Sequence, residues 1–272
     1  MRSLIRTEWL KMRKYNAFWW IMGVTALAYP GINFIYYLGY EDLTKQPDKA
    51  VQYAKLALGN PFAFPEVWHT VAYASSIFLF IPAVMTIMLI TNEYTYKTHR
   101  QNIIDGWSRN QFMTSKLIDV ALVTLMITVL YFIVCMVTGS ITHDSSVKNF
   151  WVQSYYTGLF ALQTFSQLSL AFLTGFLIRK AFLALGIFLF YFVVLENIFV
   201  GLMTWKNIPA ASYLPLEISD KLVPRPAFTS IVNASGYQKN IDEIPLHVLL
   251  TILLTGVVWY ICYRINNKRD LK

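Results

Sequence analysis

The amino-acid sequence predicts an all-α, polytopic membrane protein, with six transmembrane helices behind an N-terminal amphipathic interfacial helix. Composition is the first reason. Of 272 residues, 56% are hydrophobic and 14% charged, with a mean hydropathy of +0.45, whereas soluble domains carry about a quarter of their residues as charges. One water-soluble core of this length cannot hide that apolar surplus, so the expected solvent is a bilayer. The second reason is segmentation. Six stretches, at about 18–38, 71–90, 117–137, 157–178, 181–203 and 246–263, contain no Lys or Arg and approach the roughly 20 apolar residues that cross hydrocarbon. In lipid each backbone N–H and C=O needs an internal partner, which a helix supplies. The third reason is where the cations fall.

The chain has a formal net charge of +8, but its basic residues flank the apolar runs and form no face for nucleic acid. With six spans both termini share a side. That side holds Arg2, Arg6, Lys11, Arg13, Lys14, Lys97, Arg100, Arg109, Lys116, Arg179, Lys180, Arg264, Lys268, Arg269 and Lys272, or 15 of the 23 Lys and Arg. The remainder (Lys45, Lys49, Lys55, Lys148, Lys206, Lys221, Arg225, Lys239) fall on the other side, which has more chain. The positive-inside rule therefore puts both termini in the cytoplasm. Trp19, Trp20, Trp68, Trp151 and Trp259 sit near span ends, where amphipathic rings prefer the interface.

Residues 1–16 precede the first span as an amphipathic segment. Ile5, Trp9 and Met12 recur at i, i+4 and i+7, and Arg2, Arg6 and Arg13 lie largely off that stripe. This is the pattern of a helix lying in the cytoplasmic interface with its cations near anionic headgroups; a basic flank that only fixes orientation is the other reading. A signal peptide ending at Ala26-Leu27-Ala28 is disfavoured, because the apolar run continues through Leu38 and Pro30 lies beside the would-be cleavage point. Cys135 and Cys262 fall in runs expected in opposite leaflets and are read as small core hydrophobes that do not bridge.

Residues 17–263 form the expected six-helix domain, and 264–272 a basic cytoplasmic tail. Arg179-Lys180 alone separates the fourth and fifth spans, so those helices must be antiparallel neighbours. The outer segment 204–245 carries five prolines and apolar positions including Leu214, Leu216, Ile218, Leu222 and Val223. These predict short helices packed at or dipping into the outer leaflet. Asn233-Ala234-Ser235 matches a glycosylation triplet, a pattern too frequent by chance to use.

The cytoplasmic loop 91–116 reads TNEYTYKTHRQNIIDGWSRNQFMTSK. Thr98 with Gln101 and Ser108 with Gln111 have capping-box spacing, and Gly106 suits a left-handed helix end. The parse is a short helix over about 99–105, a turn at Gly106-Trp107, and a helix from Arg109 into the third span. Such a crosswise helix, with Ile103, Ile104 and Trp107 available, serves either as a docking element or as an interfacial connector.

Glu93-Tyr94-x-Tyr96-Lys97-Thr98-x-Arg100, then Gly106-x-Ser108-Arg109 and Ser115-Lys116, resembles the loop after the second span in permeases of the type 2 ABC transporter class. Tyr213-Leu214-Pro215 before the last span is also similar, and so is the whole architecture. The resemblance implies that Thr98, Arg100, Ile103, Ile104, Gly106, Trp107, Ser108 and Arg109 form a coupling helix seated on an ATPase. It implies a permease of an exporter, with two ABC ATPase copies, a second permease half (identical or related), and residence in the cytoplasmic membrane of a prokaryote. Trp107 departs from the small or aliphatic residues common near that helix end.

No G-x-x-x-x-G-K-[ST] phosphate loop occurs, nor H-E-x-x-H, C-x-x-C or G-x-S-x-G. No catalytic residue, metal ligand or cofactor site is therefore expected in this chain, and ATP and Mg belong to the partner. Within the spans, Glu196 lies roughly 20 Å above the cytoplasmic end at ~1.5 Å per residue, with Asn197 beside it. A buried acid there is either a pathway or gating contact or a structural group. Gln163 and Gln167 share a side of the fourth span and serve helix packing or a path. Asp119 is expected to pair locally with Lys116. Two other classes remain open: a stand-alone secondary transporter using Glu196, and a non-transporting scaffold or sensor.

Overall fold

A computed structural model describes residues 2–45, 60–142, 149–206, 208–229 and 234–268. Lys49, Lys55, Lys148, Asn233, Arg269 and Lys272, used above, lie outside them. All regular structure among the described residues is helical. In order these are α1 (Arg2–Lys14), α2 (Asn16–Lys45), α3 (Val67–Ser76), α4 (Phe80–Thr95), α5 (Thr98–Ile104), α6 (Arg109–Ile141) and α7 (Tyr155–Ile178). There follow α8 (Ala181–Phe190), α9 (Glu196–Trp205), α10 (Pro215–Asp220), α11 (Ala234–Asp242) and α12 (Ile244–Lys268). Among the described residues, five helices are long and apolar enough to cross a membrane: Asn16–Asp42, Arg109–Ile141, Tyr155–Ile178, Ala181–Trp205 and Ile244–Lys268.

The sixth candidate, expected as one span over 71–90, is a bent pair: α3 and α4 meet at 52°. Pro82 explains the break. It has no N–H to return to Phe78, and its ring crowds that carbonyl. The chain instead tightens through i→i+3 bonds, Phe78 N–H to Ser75 O at 3.1 Å and Ile81 N–H to Phe78 O at 3.0 Å. A second irregularity interrupts the fifth span, where Tyr191–Leu195 forms a π-turn between α8 and α9.

The hub of the bundle is α7, which packs against α4, α6, α8 and α12. Gly175 permits the α4 contact: a Cβ there would stand 2.7 Å from Ile90 Cγ2 and 3.4 Å from Ile87 Cα. Trp68, Tyr131, Tyr156, Phe160 and Phe176 are fully buried around this hub. The core is pinned by polar tips, with Tyr131 Oη donating to Trp68 O at 2.7 Å and Trp259 Nε1 donating to Ser169 Oγ at 2.9 Å. Large apolar side chains such as Leu27, Phe182 and Phe199 point outward, as a lipid-facing surface requires. Cys135 and Cys262 are both buried and free.

Between α9 and α12 the described residues include a short helix packed against the bundle. Leu216, Ile218, Leu222 and Val223 are buried, and α10 packs on α7 and α12. α10 and the turn that follows it are therefore part of the protein core at the end opposite α1.

Candidate functional site

At the end that holds α1, α5 and the close of α12, one lysine gathers three helices. Lys116 lies on α6, 33 residues long and so about 50 Å from end to end at 1.5 Å per residue. Its first turns thus have length to spare beyond a hydrocarbon core of about 30 Å. Lys116 Nζ donates to Glu8 Oε2 on α1 at 2.7 Å, Glu93 Oε1 on α4 at 2.6 Å and Asp119 Oδ2 at 2.7 Å, with its side chain only 3% exposed. Lys11 adds bonds to Glu8 Oε1 at 3.0 Å and Glu93 Oε1 at 3.1 Å. Burial alone would raise the Glu8 carboxyl, but Lys116 and then Lys11 outweigh it and hold the group at about 2. Truncating one member of such a buried set leaves the others as uncompensated charges.

This cluster supports α5. Lys97 turns the chain into the left-handed region at φ 55° before α5, and Gly106 does so at φ +99° after it. Thr98 Oγ1 and His99 Nδ1 both reach the carbonyl oxygen of Glu93, at 3.4 and 3.2 Å. Burial lowers the His99 imidazole. The expected Thr98–Gln101 capping box does not form: Lys97 is the N-cap residue without a side-chain cap, and the Gln101 N–H goes to the Lys97 carbonyl at 3.4 Å. The Ser108–Gln111 box does form, in both directions, at 3.1 and 2.8 Å.

The predicted coupling residues separate by position. Ile104 is 77% exposed, Gly106 is exposed, and Arg100 and Ile103 are half-buried. Trp107 is half-buried with Lys11 Nζ 5.6 Å from its ring centroid, which ties the turn to α1. Arg109 is engaged inside the chain: its Nη1 donates to Asn267 O at 2.7 Å, and Asn266 Nδ2 donates to Arg109 O at 2.8 Å. The start of α6 is thus fastened to the end of α12.

A cavity of about 850 Å³ opens in the other half of the bundle. Both irregular segments face it: Tyr73, Ile77 and Phe80 from the α3–α4 break, and Phe192, Val193, Glu196 and Asn197 from the π-turn and α9. Glu196 is 4% exposed, and its Oε1 accepts the backbone N–H groups of Leu216 at 2.7 Å and Glu217 at 2.8 Å. It caps α10 from a neighbouring helix, satisfying donors that a helix start leaves orphaned. Asn197 Nδ2 donates to the carbonyls of Phe192 and Val193 at 3.0 and 3.1 Å, groups the π-turn would otherwise leave short of partners.

Gln163 and Gln167 converge on the C-terminal end of α10. Their Nε2 atoms donate to Asp220 Oδ1 at 2.9 and 2.7 Å, and Gln167 also reaches Ser219 Oγ at 3.2 Å. Asp220 is open to the cavity yet ringed by protein, and that enclosure, with Glu217 beside it, pushes its carboxyl up to about 7 against the pull of the two amides. Three of the four intramembrane positions singled out from sequence, Glu196, Gln163 and Gln167, therefore meet one short segment, α10, whereas Asn197 turns back onto the π-turn. Asp220 and the Lys116 cluster were not singled out as site groups. Glu8 had a visible signal, an acid three residues after Ile5 on the apolar side of α1. Asp220 had none, because its partners lie more than fifty residues away.

Apolar helices that bury one face and turn another apolar face outward define an integral membrane protein. Residues 4–195 match the model of the ABC-2 family transporter proteins. The chain belongs to that family and is a permease of an ABC transporter, which implies an ABC ATPase partner. The comparison with curated proteins returned no match.

Proposed function

We propose that this permease couples ATP hydrolysis by a separate ATPase subunit to export of a substrate across the cytoplasmic membrane. The observation that carries the reading is α5: a seven-residue helix between two left-handed turns, with Ile104 exposed and its base locked to α1, α4 and α6. A short rigid helix with an apolar tip suits a groove on a partner, and movement of that partner would pass through Glu93 and Lys116 into α4 and α6. ATP and Mg are bound by two ATPase copies, and catalysis belongs to them. Two permease halves, identical or related, complete the assembly. Both termini are cytoplasmic in this reading, with α1 lying in the interface of a prokaryotic inner membrane.

Glu196 argues against the stand-alone secondary transporter. Its carboxylate is committed to capping α10 through two backbone N–H groups, a structural task at odds with carrying an ion. The test is to co-express the chain with its candidate P-loop ATPase in proteoliposomes. Co-purification and an ATPase rate that rises severalfold over the free subunit are expected. An ATPase that neither binds nor responds overturns the proposal.

A further inference from the structure

The cavity beside α10 has one apolar wall and one acidic wall. Ile77, Phe80, Phe192 and Val193 make the first, and Glu196, Glu217 and Asp220 the second. Its cations are fewer: Lys221 lies 3.8 Å from Glu217 Oε1 and donates to Asn240 Oδ1 at 3.4 Å, and Arg225 also lines the space. Three carboxylates against two cations leave a formal excess of one negative charge. One further observation points to a missing positive partner. Asp220 is held in place through Oδ1 alone by Gln163 and Gln167, and faces the cavity with no cation paired to it among the described residues.

The same geometry disfavours an anion. The backbone N–H groups opening α10 are taken by Glu196, and the Asn197 amide that lines the cavity is taken by the carbonyls of Phe192 and Val193. The volume falls within the roughly 300–1,000 Å³ of small-molecule sites, which are mostly apolar with a few placed polar groups. Aromatic faces attract cations as well as apolar bodies. We propose that this cavity binds an amphiphilic organic cation, with Asp220 receiving the positive group and the aromatic wall its apolar body. As the substrate class of the exporter, the assignment rests on the transport reading above.

The probe is tetraphenylphosphonium, with tetraphenylborate as its anion of matched shape. Binding is measured on the purified full chain in phosphatidylcholine nanodiscs, with empty discs subtracted. The phosphonium binds the wild type, the borate binds at least tenfold more weakly, and Asp220→Asn weakens the phosphonium at least tenfold. The Asn side chain still accepts from both glutamines, so the fold persists. Asp105→Asn, on an exposed acid at the opposite end, leaves binding unchanged. If Asp220→Asn does not fold, Glu217→Gln must weaken the phosphonium threefold or more. No binding above empty discs, equal affinity for the borate, or acid variants that bind like the wild type overturn the proposal. ATPase stimulation is measured separately on the complex. Cation binding without an ATPase response keeps the site and removes the transport reading; an ATPase response without cation binding does the reverse.

Discussion

Replacing Lys116 with Met tests how much of the fold hangs on one buried ammonium. The carboxyl of Glu8 is held at about 2 instead of its ordinary 4.5, and at about 1.4 kcal/mol per tenfold that difference is worth about 3 kcal/mol. Since Lys116 Nζ also meets Glu93 and Asp119, the loss belongs in the roughly 3–5 kcal/mol seen when a buried ion pair loses one partner. For a chain of this size that lowers Tm by about 6–15 °C. The pH dependence has a definite sign. A carboxyl depressed by folding contributes its full share above 4.5 and loses it as pH falls through about 2, with roughly 2 kcal/mol gone by pH 3. Thermal unfolding of the purified chain at pH 7 and pH 3 measures both effects. Lys116→Met should be much less stable at pH 7 and less sensitive to acid, and adding Glu8→Gln should recover part of the loss by removing a stranded charge. An unfolding temperature within a degree of the wild type, with unchanged acid sensitivity, refutes the reasoning.

Other perturbations follow from single contacts. Gly175→Val forces branched carbons into Ile90 and the Ile87 backbone, and overpacking of this kind costs about 1–3 kcal/mol, read as a lower unfolding temperature. Glu196→Ala removes the α10 cap and should cost about 1 kcal/mol, whereas Glu196→Gln keeps an acceptor oxygen and should cost less than half as much; equal losses in thermal unfolding would contradict the capping role. Gly106→Pro cannot adopt φ +99°, because proline is fixed near −65°, so α5 should lose its orientation. The measurement is ATPase co-purification, expected to drop at least tenfold while bundle stability changes little.

How far the sequence reveals this molecule depends on the range of the interactions involved. Apolar run length and cation placement are local, so long apolar helices were legible at 109–141, 155–178 and 244–268, with longer ends than hydropathy alone indicates. The bend at 77–79 was also written locally, in Pro82, but a hydropathy window averages over one proline. Capping chemistry divided in two. Ser108 and Gln111 formed their box, whereas the Gln101 N–H went to the Lys97 carbonyl once the chain turned there. Glu196, Gln163 and Gln167 were recognisable as costly polar groups in apolar helices. Their shared target, α10, was invisible because it comes from a loop remote in sequence. The Lys116 cluster joins α1, α4 and α6 across more than a hundred residues, and of its contacts only Lys116–Asp119 and Lys11–Glu8 were near enough in sequence to read.

If α5 seats this permease on its ATPase, as proposed, Ile104 is the residue to change. At 77% exposure it contributes little to the fold, so Ile104→Asp alters the tip of α5 and leaves its support intact. The account predicts a variant with the wild-type unfolding temperature that co-purifies with the ATPase at least tenfold less and no longer stimulates it. Full ATPase binding and stimulation by Ile104→Asp would contradict the account.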